Sequence, residues 1–460
     1  MEKEDIKNSP WLVDFDDELT SDIIELIRSK SGILLLNILN DLYTADIAHI
    51  INRLEIADAD YVFNLLTSED SSKVIVELRE DYREHFLETL SQKKLSDLVN
   101  EMPSDNAAGI MRELSDERAS FVLEEMSETS SEDVQELLQY KEGTAGGIMQ
   151  KEVVTVLINE TIKKAIQAVR KASKTIENIQ DVYILNENNQ LVGSISVSSL
   201  ILISPNRKIR KVMESDILSV LPNVDQEEVA RIFEKYDIVS LPVVDNEKNL
   251  LGKIAIDDIV DVFEQEHAED VAHLVGSDAD ELESKSPTQI ALLRLPWVLL
   301  TLFIELFAGV VISHFNETLS QVILLAAFMP IISAISGNTG LQSAAIMVRG
   351  IATGKVDIKK WWEPFSRQIK TTLIIGFVCG SVIGTVASLW NNNFIFGFVV
   401  GISMFISINI SGVVGTSMPI ISKRLGFDPA ITSGPFETAF QDVVGITIFL
   451  SIATLLINSL

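Results

Sequence analysis

Apolar residues are distributed in two different ways along the chain, and the change falls near residue 291. Beyond that point, five apolar runs are each long enough to cross about 30 Å of hydrocarbon at about 1.5 Å per residue. A large helical bundle in water is the alternative, but its helices would not need to be so long and so apolar. We therefore predict five membrane-spanning helices, at 292–314, 319–348, 369–390, 394–421 and 429–457.

The stretch 45–140 repeats apolar residues with an unbroken period of twelve. Such a period fits helices of about two turns joined by tight connections, as in a helical superhelix. Polar and acidic groups between these positions are typical of helix starts. We interpret most of those carboxylates as helix caps or solvated faces. The repeating positions are Leu54, Leu66, Leu78, Leu90, Met102, Leu114, Met126 and Leu138.

Residues 150–270 contain an internal repeat in the order strand, helix, strand, strand, helix. This order resembles a tandem pair of CBS domains, which commonly sense adenine nucleotides or ions for an attached domain. CBS sites that hold a ribose usually place an Asp at the start of the last helix, where the two repeats have Ser199 and Asp258. Only one of the two repeats has this Asp, so the sequence leaves ATP binding open. The matched segments are 153–157 with 217–221, 161–171 with 226–235, 182–185 with 240–244 and 191–195 with 250–254.

Charge divides the chain at the same place as hydropathy. The net charge is −29, and residues 291–460 hold nine basic and seven acidic side chains, so residues 1–290 carry −31. That charge excludes nucleic acid and anionic lipid as natural partners of the front half and favours cations. The single cysteine, Cys379, excludes a disulfide framework and a Cys-rich zinc site. The first residues have no signal-peptide pattern, so we expect the front half in the cytosol.

Basic loops predict the orientation of the spans. The connections after the second and fourth spans hold most of the Lys and Arg of this half, whereas those after the first and third hold none. Because positive loops stay in the cytosol, we predict that residues 1–290 lie inside and the C-terminus outside. The basic residues of these loops are Arg349, Lys355, Lys359, Lys360, Arg367, Lys370, Lys423 and Arg424.

Asp442 is an acidic residue deep within the fifth span. It lies 14 residues past Asp428, hence about 21 Å into the span. Ionisable groups there are costly by about 2.5–3.5 kcal/mol or more and usually mark a pathway, although an Asp satisfied by a neighbouring helix is the alternative. Small or polar residues around it predict a hydrated path. These candidate pore-lining residues are Gly434, Pro435, Glu437, Thr438, Gln441 and Gly445. In the first span, Glu305 is a weaker candidate.

The second span contains a polar motif at 336–343. Asn338 and Gln342 supply hydrogen-bond donors and acceptors in mid-span, and Gly340 permits an irregular or closely packed backbone. These residues predict a polar pathway, although helix-to-helix contact is the alternative interpretation. Just before the first span, residues 257–270 hold seven carboxylates on one predicted helix, where they repel one another.

Together these features resemble the MgtE family of magnesium transporter-channels. The resemblance covers residues 45–457 and is sharpest at YKEGTAGGIM (140–149), DQEEVA (225–230), MPIISAISGNTGLQS (329–343) and DPAITSGPFETAFQDVVG (428–445). It implies a multidomain fold: an all-α superhelical N domain, an α/β tandem CBS pair and an α-helical membrane domain with five transmembrane helices. The implied segments are a lead-in (1–44), the N domain (45–146), the CBS pair (147–206 and 207–262), an acidic plug helix (263–290) and the pore domain (291–460).

The resemblance also implies a site and a mechanism. Family members are homodimers around one pore, where the Asp matching Asp442 binds hydrated Mg²⁺, and cytosolic Mg²⁺ closes the channel. Departures from the family pattern fall at Gly434, Leu341 and the pair Ser198–Ser199. The family's acidic ligands match Asp225, Glu227, Asp237, Asp258, Asp261, Glu266, Glu269, Asp270 and Asp428 here, with Asp105 as a candidate partner in the N domain.

The sequence thus predicts a multi-pass Mg²⁺ channel or transporter of the cell membrane. Its expected partners are a second copy of the chain, lipid and Mg²⁺, with no nucleic acid and no other protein. A CBS-regulated transporter for Co²⁺, Ni²⁺, Mn²⁺ or another solute is the alternative, and carboxylates in the path speak against an anion. An intramembrane enzyme is disfavoured, because the spans offer neither a His/Glu metal pair at helical spacing nor a Ser with a matching His.

Overall fold

The structure is a computed structural model that describes residues 17–176, 178–277, 286–430 and 434–457. The side chains of residues 17–22, 435 and 436 are outside this description, as are residues 1–16 of the predicted lead-in. The chain divides into two compact units, residues 1–262 and residues 263–460, and each is described by itself.

The described part of the first unit begins with ten short helices. Those within residues 44–137 have eight to ten residues each, which leaves room for a connection in every period of twelve. The predicted helical N domain is therefore confirmed. The helices are α1 (Asp17–Arg28), α2 (Gly32–Leu39), α3 (Thr44–Ile51), α4 (Ile56–Leu65), α5 (Ser68–Val76), α6 (Glu80–Thr89), α7 (Gln92–Asn100), α8 (Ser104–Glu113), α9 (Asp116–Glu125) and α10 (Glu128–Leu137).

The period-twelve residues all lie just past helix ends. Leu90, for example, is the C-terminal cap of α6, and Leu114 is the C-terminal cap of α8. Both are buried, so at these two turns an apolar side chain enters the core. Several helices start with a hydroxyl cap, as where the Thr67 side chain accepts from the backbone N–H of Asp70 at 3.1 Å.

Two small sheets follow, as the internal repeat predicts. Strands β1 (Thr155–Leu157), β2 (Asp181–Leu185) and β3 (Leu191–Ser196) form the first sheet, with β1 parallel and β3 antiparallel to β2. Strands β4 (Ser240–Val244) and β5 (Leu250–Ala255) form an antiparallel pair. The helices are α11 (Ile162–Ala172), α12 (Val197–Leu202) and α13 (Gln226–Tyr236). The predicted α/β tandem CBS pair is therefore confirmed.

The first strand of the second repeat is a local exception. The prediction of a strand at 217–221 is wrong, because only Val220 pairs there, in a single parallel bridge to Val243. Pro222 follows at once and has no N–H to extend the ladder. The helix that follows β5 is α14 (Ile256–Val275), a single helix of 20 residues that begins directly after this strand and passes the division at residue 262.

Among its described residues, the second unit contains five helices that are long and apolar enough to cross a membrane. This confirms the five predicted spans, although the second begins at 325 rather than 319, because the short helix α16 (Asn316–Gln321) occupies the connection. The fifth begins at 435 rather than 429. The long helices are α15 (Pro287–His314), α17 (Leu325–Ala352), α18 (Trp362–Asn391), α19 (Phe394–Leu425) and α20 (Pro435–Leu455).

Helices α17, α19 and α20 form the interior of this unit. Large side chains such as Phe328, Phe396 and Phe449 are buried in one apolar cluster. Helix α17 continues without a break through Pro330 and Gly340, so the polar motif is closely packed and not irregular. At its crossing with α19, a Cβ on Gly415 would collide with the backbone of Gly340, so glycine permits the close approach.

Candidate cation sites

Asp105 and Asp258 come together in the first unit. Asp105 lies in the first turn of α8 and Asp258 in the first turn of α14, and Gln150 lies between them. The Gln150 amide donates to Asp105 Oδ2 at 3.2 Å and to Asp258 Oδ2 at 2.9 Å. The Ala255 backbone N–H donates to Asp258 Oδ2 at 3.2 Å. Two carboxylates from distant parts of the chain thus face one small space.

This arrangement disfavours the ionised form of both carboxyl groups. Burial, together with the charge of Glu152, raises the pKa of Asp105 to about 6. Burial, together with the charges of Asp105 and Asp257, raises the pKa of Asp258 to about 8. A divalent cation between two such carboxylates would offset the repulsion that a proton otherwise relieves. The pair has the chemistry of a Mg²⁺ or Ca²⁺ site, since both ions prefer oxygen ligands.

A second acidic pair joins the same two parts of the unit. Burial and the charge of Asp261 on α14 raise the pKa of Glu77, which caps the end of α5. Asp258 and Asp261, one helical turn apart, therefore each face a carboxylate of the N-terminal helices. Sequence reasoning included Asp105 and missed Glu77, because nothing in the local pattern of α5 marks its last carboxylate as different from the caps.

Within the second unit, Glu269, His273 and Asp428 form a three-residue cluster. One potential ligand atom of each lies within 4.8 Å of the others. His273 Nδ1 lies 3.3 Å from Asp428 Oδ2, and His273 Nε2 lies 3.8 Å from Glu269 Oε1. The sequence prediction contains Glu269 and Asp428 but not His273. The one available signal was the spacing of Glu and His four residues apart on a helix.

The remaining predicted cytosolic ligands are more dispersed. Asp225 caps the start of α13 by accepting from the Glu227 backbone N–H at 3.0 Å, and Glu227 itself pairs with Arg231. Asp237 ends the same helix in a left-handed conformation. Helix α13 separates Asp225 at its start from Asp237 at its end by about 18 Å, so these two do not share one ion within a protomer. Glu266 and Asp270 are half-buried on α14.

In the membrane unit, Asp442 lies beside another carboxyl group. The Glu305 side chain on α15 is within hydrogen-bonding range of the Asp442 carboxyl on α20. Both are partly exposed. Two carboxyl groups in contact at membrane depth attract a cation or share a proton, since two bare charges there repel strongly.

The amides of α17 face outward, in contrast to its hydroxyls. Asn338 and Gln342, one turn apart, are exposed on the protomer surface in the middle of the span, whereas Gly340 is buried. Exposed amides at membrane depth have no water to satisfy them unless a hydrated path or another copy of the chain covers them.

The predicted pore-lining residues of α20 fall into two groups. Thr438 and Gly445 pack on α17. A Cβ added to Gly337 of α17 would lie 3.4 Å from the Thr438 methyl group, and a Cβ added to Gly445 would lie 3.4 Å from Ser336 Oγ of α17. Glu437 and Gln441 are each only 1% exposed, enclosed within the protomer.

The start of α20 packs against the end of α14. Gly434 precedes α20, and a Cβ there would lie 2.6 Å from the Leu274 carbonyl oxygen. The side chain of Pro435 is outside the described residues.

These features define a class of protein: a multi-pass membrane protein with a tandem CBS module and clusters of carboxylates that could hold a cation. Family profiles match in the same order. The profile described as "MgtE intracellular N domain" matches residues 42–143, "CBS domain" matches 145–205 and 209–265, and "Divalent cation transporter" matches 329–452.

Similar proteins agree with the profiles. The chain is 38% identical to "Magnesium transporter MgtE" of Bacillus subtilis, over 72% of this chain and 74% of the relative. It is 34% identical to "Magnesium transporter MgtE" of Enterococcus faecalis, over 70% and 71%. A solved structure, the cytosolic domain of the Mg²⁺ channel MgtE in complex with ATP, is 27% identical with a TM-score of 0.50 and covers 53% of this chain and 99% of that one. The chain belongs to the MgtE family of divalent cation transporters.

Proposed function

We propose that this protein carries Mg²⁺ across the cell membrane through a pore that contains Asp442, and that cytosolic Mg²⁺ closes the pore. The observation that supports the pore best is the joint placement of Asp442 beside Glu305 and of exposed amides on α17. Carboxylates and amide oxygens are hard ligands that suit a hard divalent cation. The basic loops favour residues 1–290 inside the cell and the C-terminus outside.

A homodimer would complete the pore. Asn338 and Gln342 are exposed at membrane depth in a single protomer, and a second copy related by a two-fold axis would cover them. Asp442 from each copy would then face the same axis. Mg²⁺ gives up its waters reluctantly, so the paired carboxylates and amides would hold the hydrated ion instead of stripping it. Selectivity would follow from the size of the hydrated ion and the charge of the ring.

Closure would use the carboxylates of the cytosolic half. Without divalent cations, the pairs Asp105–Asp258 and Glu77–Asp261 repel, and so does the acidic face of α14. Bound Mg²⁺ would neutralise them and hold the N-terminal helices, the CBS pair and α14 in one arrangement. Several ions acting on one transition would make closure steeply dependent on Mg²⁺ concentration.

ATP is a weaker candidate ligand. A relative's cytosolic domain was solved with ATP. In this chain the ribose-binding position of the first repeat is Ser199, whose hydroxyl bonds Ser196 at 2.8 Å, and Asp258 of the second repeat already bonds Gln150. We therefore expect ATP to modulate the Mg²⁺ response weakly if it binds.

The decisive experiment replaces Asp442 by Asn in the full chain reconstituted in liposomes that enclose a Mg²⁺-sensitive dye. Loss of one carboxylate charge per protomer should lower Mg²⁺ influx by about tenfold or more, which corresponds to about 1.4 kcal/mol at the binding position. Glu363→Gln is the matched control, because Glu363 is an exposed carboxylate in the first turn of α18. Wild-type influx by Asp442→Asn at equal protein incorporation would refute the pore assignment.

A further inference from the structure

Glu437 is the most deeply buried carboxyl group in the described part of the membrane unit. It lies in the first turn of α20 and is 1% exposed. Neither of its carboxylate oxygens makes a well-formed hydrogen bond to a described residue. One turn further on, the buried Gln441 amide lies beside the Glu437 carboxyl group, but the two do not reach good hydrogen-bond geometry. A buried ion pair is absent as well, since no described Lys, Arg or His lies within salt-bridge distance of Glu437.

The carboxyl group is packed directly onto two other helices. A Cβ built on Gly340 of α17 would overlap both the Glu437 carboxyl and the Ser411 hydroxyl of α19. Glu437 therefore occupies the space that a side chain at position 340 would need. The Ser411 hydroxyl donates to the Ser336 carbonyl and so is not free to donate to Glu437.

The one described charged group that acts on Glu437 at close range disfavours its ionised form. On its own helix, Asp442 acts on it with a like charge. The ionisable side chains of the two helices packed against it, Arg349 on α17 and Lys423 and Arg424 on α19, lie about 13 Å or more along those helices from the contact. Glu305, beside Asp442, adds a further acidic group.

An ionised carboxylate without partners costs several kcal/mol in such surroundings. A hydrated Mg²⁺ does not relieve that cost, because an oxygen in contact with the Gly340 backbone leaves no space on that side for the six ligands the ion requires. A proton needs no space. The close contact with Gly340 and the burial of the carboxyl group away from any described cationic side chain therefore select a proton as the ligand.

We propose that Glu437 is a positioning residue that binds a proton and, as a neutral acid seated on Gly340, fixes the rotation of α20 and thereby the direction of Asp442. The inference rests on the proposed function of Asp442. Glu437 lies five residues before Asp442, about 7.5 Å along the helix and on another face. A rotation of α20 that released Glu437 from its buried position would move Asp442 with it.

Loss of the proton would place a bare charge between α17, α19 and α20. The charge would seek water, the three-helix contact would loosen, and Asp442 would lose its fixed direction. Transport should therefore fall at alkaline pH because the direction of Asp442 changes, and not because its charge changes. A variant with a neutral, isosteric side chain should not show this fall.

The test compares the wild type with Glu437→Gln in the full chain. Mg²⁺ influx into liposomes is measured from near-neutral to about pH 9, each protein normalised to its own neutral value. Wild-type influx should fall by about fivefold or more, equivalent to about 1 kcal/mol, whereas Glu437→Gln should stay level. Glu317→Gln, which changes an exposed carboxylate on α16, should follow the wild-type curve.

Infrared difference spectroscopy provides the readout that a purely structural role would not change. The spectrum of the wild type minus Glu437→Gln at neutral pH should contain the carbonyl stretch of a protonated carboxyl group. Carboxylate bands alone, or a band that responds to Mg²⁺ titration, would overturn the proposal. So would identical pH curves for the wild type and Glu437→Gln. Full transport by Asp442→Asn would instead refute the proposed pore, which keeps the two failures distinguishable.

Discussion

The acidic groups of the two units differ in how a cation can reach them. In the first unit, carboxylates such as Asp105 and Asp258 meet across different parts of the chain at places that remain partly open to solvent. In the second unit, Glu305 and Asp442 meet within a membrane-spanning bundle. Solvent can supply a hydrated cation to the first pair whenever the concentration permits. The second pair must be reached along the bundle itself.

This difference suggests how one ion can play two roles. In the proposed function, partly open pairs would bind and release Mg²⁺ in equilibrium with the cytosol, so their occupancy would report the Mg²⁺ concentration. The membrane pair lies where an unpaired charge is costly. A cation bound there would therefore be stabilised relative to the surrounding lipid, and not relative to bulk water. The comparison predicts that changes in the first unit alter the response to Mg²⁺, whereas changes in the second alter passage.

The largest expected effect comes from neutralising the acidic face of α14. Replacing the five carboxylates by Asn or Gln should abolish most Mg²⁺-dependent closure, because the repulsion that Mg²⁺ relieves would be gone in its absence too. Influx in high internal Mg²⁺ should then stay high, and Mg²⁺ should no longer protect the first unit from protease. The five are Asp258, Asp261, Glu266, Glu269 and Asp270.

A matched control removes the same number of charges elsewhere. Glu124, Glu125, Glu128, Glu132 and Glu136 lie on α9 and α10, away from α14 in sequence. Their replacement makes the net charge less negative by the same amount and should leave Mg²⁺ protection in place. If both quintuple variants lose protection to the same extent, total charge and not the α14 positions governs closure.

Much of the architecture was predictable because it is periodic. Five apolar runs, a period of twelve and a twofold repeat are all local patterns, and they predicted the spans, the short helices and the paired sheets. The strand at 217–221 was predicted wrongly, since strand formation there depends on pairing that Pro222 interrupts. Asp442 also stood out locally, as one charge in an apolar run.

The partners of the acidic residues were not predictable. Gln150 bonds Asp258 across 108 positions, and His273 approaches Asp428 across 155. Pairing over such separations depends on how helices dock, and neither hydropathy nor spacing within one helix contains that information. The acidic residues of several sites could therefore be predicted from the sequence, whereas Gln150, Glu77 and His273 were identified only from the fold.

A moderate effect should follow from changing Glu305 to Gln. If the Glu305 carboxyl supports cation binding at Asp442, its neutral amide should lower influx by about three- to tenfold, or about 1 kcal/mol, and shift half-saturation to higher Mg²⁺. The change leaves Asp442 in place, so passage should weaken without being lost. Influx equal to that of the wild type, at equal half-saturation, would show that the contact serves only packing.

The smallest effect concerns proton binding in the first unit. The pKa of Asp258 is raised from its ordinary value of 3.8 to about 8, so the folded arrangement prefers the protonated acid. Its contact with Asp105 is therefore fully stable below about pH 4 and weakens as the pH rises towards 8, at up to about 1.4 kcal/mol per unit of pKa difference. In chelator, hydrogen exchange at the starts of α8 and α14 should accelerate over that range.

Mg²⁺ should reverse this trend, because it binds the deprotonated carboxylates and holds them together at the upper end of the range. Asp258→Asn should flatten the pH dependence in chelator and remove the Mg²⁺ effect at the same amides. Glu228→Gln, an exposed acid on α13, should leave both unchanged. Exchange that is independent of pH in the wild type would mean that Asp105 and Asp258 do not share a buried contact in solution. The comparison between the two carboxylate pairs would then no longer hold for the first unit.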